Sequence, residues 1–165
     1  MTLTTHAAIA AALAKPLMRG HPLLIFAVAL VSHYLSDAIP HWDYPVHSLQ
    51  HVSGHKSESE WNYTSAVFWK DLNHMALDAI LGMGILFFFM RPELPRDWFL
   101  FSLIIIGSML PDFLQGLYFT KKATFLKPLQ HFHDKMHTKI KLGPYPAIGI
   151  PFQLIILLCS LWIIK

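Results

Sequence analysis

Four long apolar runs, at residues 22–40, 74–90, 98–119 and 146–164, take up much of a chain of only 165 residues. A helix needs about 20 largely apolar residues to cross a bilayer, and a lipid environment admits only helices or closed barrels. The runs are continuous, with none of the alternation of a barrel strand. They predict an all-α integral membrane bundle of about four spanning helices. A shorter helix precedes them at residues 5–18, with Thr5 placed to cap its start, Pro16 and Gly20 weakening its end, and an Ala-rich middle suited to close helix packing.

Composition agrees with a lipid solvent: 54% of the residues are hydrophobic and 14% charged, against about a quarter charged in soluble domains. No linker or repeat divides the chain, so residues 1–165 read as one membrane-embedded domain with a polar segment at 42–73 and a basic one at 120–145. The net charge of +3 comes without interleaved basic and aromatic residues, so no nucleic-acid partner is indicated. Cys159 lies in an apolar run and reads as packing. The N-terminal apolar stretch lacks a preceding basic residue, which speaks against a signal peptide.

The two long segments fall on one side of the membrane, with Lys56, Lys70, Lys121, Lys122, Lys127, Lys135, Lys139 and Lys141. The other side has Lys15, Arg19, Arg91, Arg96 and Lys165. Positive-inside counting puts the long segments in the cytoplasm, which suits a cytoplasmic membrane.

Ionisable residues within such helices are costly and mark function. At about 1.5 Å rise per residue, His33 and Asp37 lie ~17 and ~22 Å from Pro22, Asp78 and His74 ~18 and ~24 Å from Met90, Asp112 ~21 Å from Trp98, and His6 ~18 Å from Met18. Four helices of alternating direction thus place His or Asp at one level. His33 and Asp37 are four apart, as are His74 and Asp78, so each pair shares a helix face and suits one metal. His41 follows the helix-ending Pro40, and Asp112 follows Pro111, whose ring frees a carbonyl within its helix. The expected metal ligands are His6, His33, Asp37, His41, His74, Asp78, Asp112 and His131, with Asp112 and His133 as candidates to move protons. His47, His51 and His55 sit among serines and read as an exposed segment, and Asp43 lies at the membrane boundary.

Imidazole and carboxylate suit a divalent metal, zinc first and manganese or iron next, and an open coordination position lets bound water ionise near neutral pH. Nearby lysines favour a phosphate-bearing substrate, and a site at the membrane boundary favours a lipid or lipid-linked ester. The leading expectation is therefore a membrane-embedded metal-dependent hydrolase of phosphate esters. A metal-ion or proton transporter is the second, and a haem or di-iron protein the third.

The stretch from His33 through Tyr34, Leu35 and Asp37 to Pro40 and His41 resembles the His-Tyr-Leu-x-Asp…Pro-x-His element of zinc-dependent phospholipase C and the S1/P1 nucleases. His74 and Asp78 resemble their second His-x-x-x-Glu/Asp element. The resemblance implies zinc-dependent phosphodiester hydrolysis on a helical scaffold, with His33, Asp37, His41, His74 and Asp78 as ligands. This chain departs from the soluble enzymes in having no early Trp to ligate zinc, and in the shorter step from Pro40 to His41. Residues 5–10, with Leu110, Pro111 and Asp112, are also similar to the YdjM-type membrane-bound metal-dependent hydrolases, which fit the hydropathy better.

Overall fold

The structure, a computed structural model, describes residues 1–50, 59–121 and 123–165. Its helices are α1 (Leu3–Ala14), α2 (Pro22–Asp37), α3 (Ala66–Met90), α4 (Pro95–Lys121), α5 (Lys127–Met136) and α6 (Pro146–Ile164). Short 3-10 turns at Lys15–Leu17 and Thr124–Leu126 prolong α1 and precede α5. The only strands among the described residues are Leu49–Gln50 and Glu60–Trp61, paired antiparallel. The all-α expectation holds.

The bundle is built around a short helix. α1 packs against α2, α3, α4 and α6 at once, and Ala7, Ala8, Ala10, Ala11 and Ala14 are each almost wholly buried. Alanine makes this possible, because small side chains let helix axes approach where lipid supplies no hydrophobic drive for association. Glycine does the same at two crossings. A Cβ on Gly107 of α4 would stand 2.9 Å from Ala29 Cβ on α2, and one on Gly82 of α3 would stand 2.9 Å from Thr4 Cα on α1.

Three helices, α3, α4 and α6, are long and apolar enough to cross a membrane. Their outer faces are apolar and bare: Leu77, Ile80 and Leu81 on α3 and Ile148, Ile155 and Trp162 on α6 all exceed half exposure. His6, His33, Asp37, Ser32, Ser36 and Ser108 are meanwhile buried to 2% or less. An apolar exterior around a polar interior is the arrangement a membrane protein requires.

Element ends differ from the sequence expectation for local reasons. α2 stops at Asp37, three residues before Pro40, because the residue preceding proline avoids the helical region. Its 16 residues span about 24 Å, short of a full crossing, so three helices rather than four meet the length criterion. α3 begins at Ala66, where the Ser65 hydroxyl accepts from Phe68 N at 3.1 Å, and the polar stretch through His74 is helical. α1 starts at Leu3, two residues before Thr5. The basic segment contains α5, which Pro128 opens from the first turn, where its missing N–H costs nothing.

Candidate metal centre

Asp37, the last residue of α2, is fully buried and stands at the focus of five histidines. Its Oδ1 lies 3.1 Å from His6 Nε2 and 3.9 Å from His41 Nε2, and its Oδ2 lies 3.2 Å from His33 Nε2, 3.1 Å from His133 Nε2 and 3.2 Å from His137 Nε2. His33 comes from α2 one turn earlier, His6 from α1, and His41 from the connection after Pro40. His133 and His137 sit one turn apart at the end of α5. That end is pinned to α2: Thr138 N donates to Asp37 O at 2.9 Å and Leu142 N to His41 O at 3.3 Å. The rings stack in pairs, His6 on His33 with centroids 4.0 Å apart and His133 on His137 at 5.0 Å.

The outer nitrogens fix which lone pairs face inward. His33 Nδ1 lies 2.7 Å from Ser108 O, a carbonyl that can only accept, so this nitrogen carries a hydrogen, and in the neutral ring Nε2 is bare. Ser36 Oγ donates to His33 O at 2.8 Å, so it accepts from His6 Nδ1 at 2.8 Å, and His6 Nε2 is bare as well. His41 Nδ1 donates to Ile39 O at 2.7 Å. In their neutral forms these imidazoles aim lone pairs at a carboxylate that itself offers lone pairs. His6 Nε2 and His33 Nε2 have no hydrogen-bond partner, an expensive condition for buried polar atoms. A cation between these donors turns the conflict into attraction, and the second hydrogen bonds on the rings are those that metal-ligating histidines make.

Two donor sets share Asp37. His33, Asp37, Asp112 and His133 form one, and Asp37, His41 and His137 the other, with the donor atoms of each set within 4.8 Å of one another. Such spacing closes onto an ion at about 2.0–2.2 Å per ligand with small side-chain shifts. A buried His/Asp group is thus able to hold a metal ion. Comparison with family models, with curated proteins and with solved structures finds no match to this chain. The geometry alone carries the site.

Asp112 on α4 stands 3.7 Å from His33 Nε2 and 3.8 Å from His133 Nε2, with its side chain 29% exposed. It forms the wall between the buried cluster and a cavity of about 230 Å³ lined in part by Asp43, Tyr44, Asp112 and His137. Asp43 Oδ2 lies 3.1 Å from His41 Nε2, and the Met1 amino group sits between Asp43 Oδ1 at 2.6 Å and Asp37 Oδ1 at 3.3 Å. Burial drives the His137 imidazole down to about 3, with His133, the Met1 amine and Lys141 adding to the effect and Asp37 opposing it. His137 consequently stays neutral, the form that binds metal. Burial, followed by the Asp78 carboxylate, raises the Tyr44 phenol well above its usual range.

The remaining expected ligands lie elsewhere. Asp78 reaches the height of the cluster but turns to the N-terminus of α1, where its Oδ2 accepts from Leu3 N at 2.6 Å and its Oδ1 from Thr4 N at 3.2 Å and Thr4 Oγ1 at 2.7 Å. It satisfies amide donors that every helix start leaves open. His74, one turn earlier, faces outward and is exposed, as is His131 on the outer side of α5. His51, His55, Lys56 and Lys122 lie outside the described residues. His137 and Asp43, absent from the expected ligand set, join the site. The available signal for His137 was its four-residue spacing from His133 downstream of Lys127-Pro128, a helix start.

Proposed function

We propose that this chain is a membrane-embedded, metal-dependent hydrolase of phosphate esters. The observation that carries the metal reading is the convergence of five imidazole nitrogens on Asp37, two of them buried without a partner. The phosphate-ester reading rests on the resemblance of residues 33–41 to zinc phosphodiesterases, and the membrane-bound hydrolase reading on the resemblance to YdjM-type proteins. Under this proposal His33, Asp37, Asp112 and His133 would hold a metal, Asp37, His41 and His137 form a second donor set beside them, and His6, stacked on His33, would offer a further nitrogen. Zinc suits these donors best, with manganese or iron next.

When bound, the metal supplies Lewis acidity toward the phosphoryl oxygens and a nucleophile at neutral pH. The chain's own groups do the rest. Ser108 O, Ser36 Oγ and Ile39 O hold three rings in the tautomer that presents Nε2. Asp112, facing both the cluster and the cavity, would take the proton released by the attacking water and pass the same proton to the leaving oxygen, with the His133 ring beside it. Opposite the site, Ala11, Ala14, Ile25, Ala29, Leu86 and Ile104 pack an apolar bundle core. That apolar plug favours a site open at one end over a transport path. The cluster end faces the cytoplasm in this reading, the side that the lysine distribution favours.

The test is hydrolysis of a soluble chromogenic phosphodiester and of phospholipids by purified protein supplied with zinc, manganese, iron or magnesium. Hydrolysis that disappears in Asp37→Asn supports the proposal. A parent protein loaded with metal yet inert on every ester would overturn the substrate class.

A further inference from the structure

α3 and α4 are joined by a turn of four residues and touch beside it, where the Phe87 and Trp98 rings lie 5.5 Å apart. Both pack closely on α1, and they make few close approaches to each other. A cavity of about 420 Å³ fills the space between them. Leu72, Met75 and Ala79 line it from α3 and Met109, Phe113 and Leu117 from α4. These positions recur at three- and four-residue intervals, so each helix gives the cavity one continuous apolar face. On α4 the lining runs from Met109 to Thr120, about 16 Å of helix.

The cavity has one ionisable wall residue, Asp112, which is also a member of the buried donor set. It shares Leu3, Trp61, Met75 and Gly116 as well with the cavity beside the metal centre. An apolar groove in the flank of membrane-crossing helices therefore runs into the chamber that holds Asp43, Tyr44 and His137, and the single charge at their junction belongs to the site. Phe113, 67% exposed on the groove's outer edge, places that flank against the bilayer hydrocarbon. Water has few partners in such a groove, while an alkyl chain matches its length and its lining.

We propose that the groove between α3 and α4 binds one hydrocarbon chain of a membrane lipid and so directs its polar head to Asp112 and the metal centre. The inference rests on the phosphate-ester reading for the nature of that head, and it assigns the substrate as a lipid entering from the bilayer flank. Ala76 and Ala79, small residues on the groove wall, explain how α3 leaves space for the chain. An indole at either position would occupy it.

The experiment uses the full chain in phosphatidylcholine nanodiscs containing a phosphatidylcholine with a photoreactive acyl chain. Labelled positions are mapped by peptide mass spectrometry in the parent, Ala76→Trp and Ala79→Trp, with metal content as the control for an intact centre. Labelling concentrated on Leu72, Met75, Phe113 and Leu117, competed by unlabelled lipid and lost in the metal-retaining Trp variants, is the expected result. Labelling spread evenly over the outer faces of α3, α4 and α6 and unchanged by either substitution overturns the proposal. So does the absence of acyl-chain label at these positions where a bifunctional cross-linker joins two copies of the chain through them. Should both Trp variants lose metal, competition in the parent decides: focused label that excess lipid does not displace overturns the inference.

Activity separates the two readings. If labelling is focused but neither a soluble nor a lipid ester is hydrolysed, the phosphate-ester reading fails and the chain-binding groove stands. If the soluble ester is hydrolysed while labelling has no focus, the reverse holds. Where both stand, the Trp variants lose hydrolysis of the long-chain ester and keep that of the soluble one.

Discussion

Ser36 does two jobs with one hydroxyl, donating to His33 O and accepting from His6 Nδ1. Ser36→Ala removes no ligand, yet frees the His6 ring to rotate and to change tautomer. Outer partners of this kind are worth about 10–100-fold in metal affinity, and a chelator-competition titration of the variant should show a loss of that order with the fold intact. Loss of all binding would instead give Ser36 a direct part in the site. His137 sets a pH dependence. Its folded value of about 3 lies below the 6.5 of an unfolded histidine, so between these two values the unfolded chain holds a proton that the folded chain does not. Its contribution to the stability of the metal-free protein is complete above pH 6.5 and is lost as pH falls toward about 3. Thermal melts of metal-free protein across that range should show the decline in the parent and a shallower one in His137→Gln.

Helix contacts decide which of two similar sequence pairs becomes a site. His33 and Asp37 face the centre because Gly107 lets α4 approach α2 until Ser108 O meets His33 Nδ1. Gly107→Val should open that crossing at a cost of about 1–3 kcal/mol and lower metal affinity with it. Gly84→Ala, with nothing within 4 Å of the added Cβ, should be neutral or stabilise α3 by up to about 1 kcal/mol. Melting temperatures in detergent, read beside metal content, check both; equal effects at the two glycines would contradict the packing argument. The sequence expectation found the level of the site because depth follows from counting residues along a helix. Rotation of each helix about its axis does not follow from counting. Asp78 has the right depth, but its face meets the backbone of α1, a partner that no i, i+4 pattern reveals. α5 was hidden for another reason: ten residues rich in Lys and His carry no spanning signal, and its one clear mark is Pro128 at the start.

For the molecule as a whole, leucine, isoleucine and tryptophan cover the outer faces of the long helices, while the imidazoles and carboxylates are buried at one end of an otherwise apolar core. The long runs of apolar sequence already implied this. The central place of α1 could not be read, since an Ala-rich helix 12 residues long looks peripheral until four partners close on it. Orientation has its own test. In a Cys159→Ala background, Lys139→Cys, exposed after α5, should react with a membrane-impermeant maleimide only in vesicles that display the cytoplasmic face; labelling from the opposite face would reverse the proposed topology. The central claim is the metal centre, and elemental mass spectrometry of the detergent-purified protein tests it most directly. The account predicts stoichiometric zinc, manganese or iron in the parent and in His74→Ala, whose ring is exposed, and its loss in Asp37→Asn. A parent that holds no metal after reloading, or an Asp37→Asn variant that keeps its full complement, would contradict it.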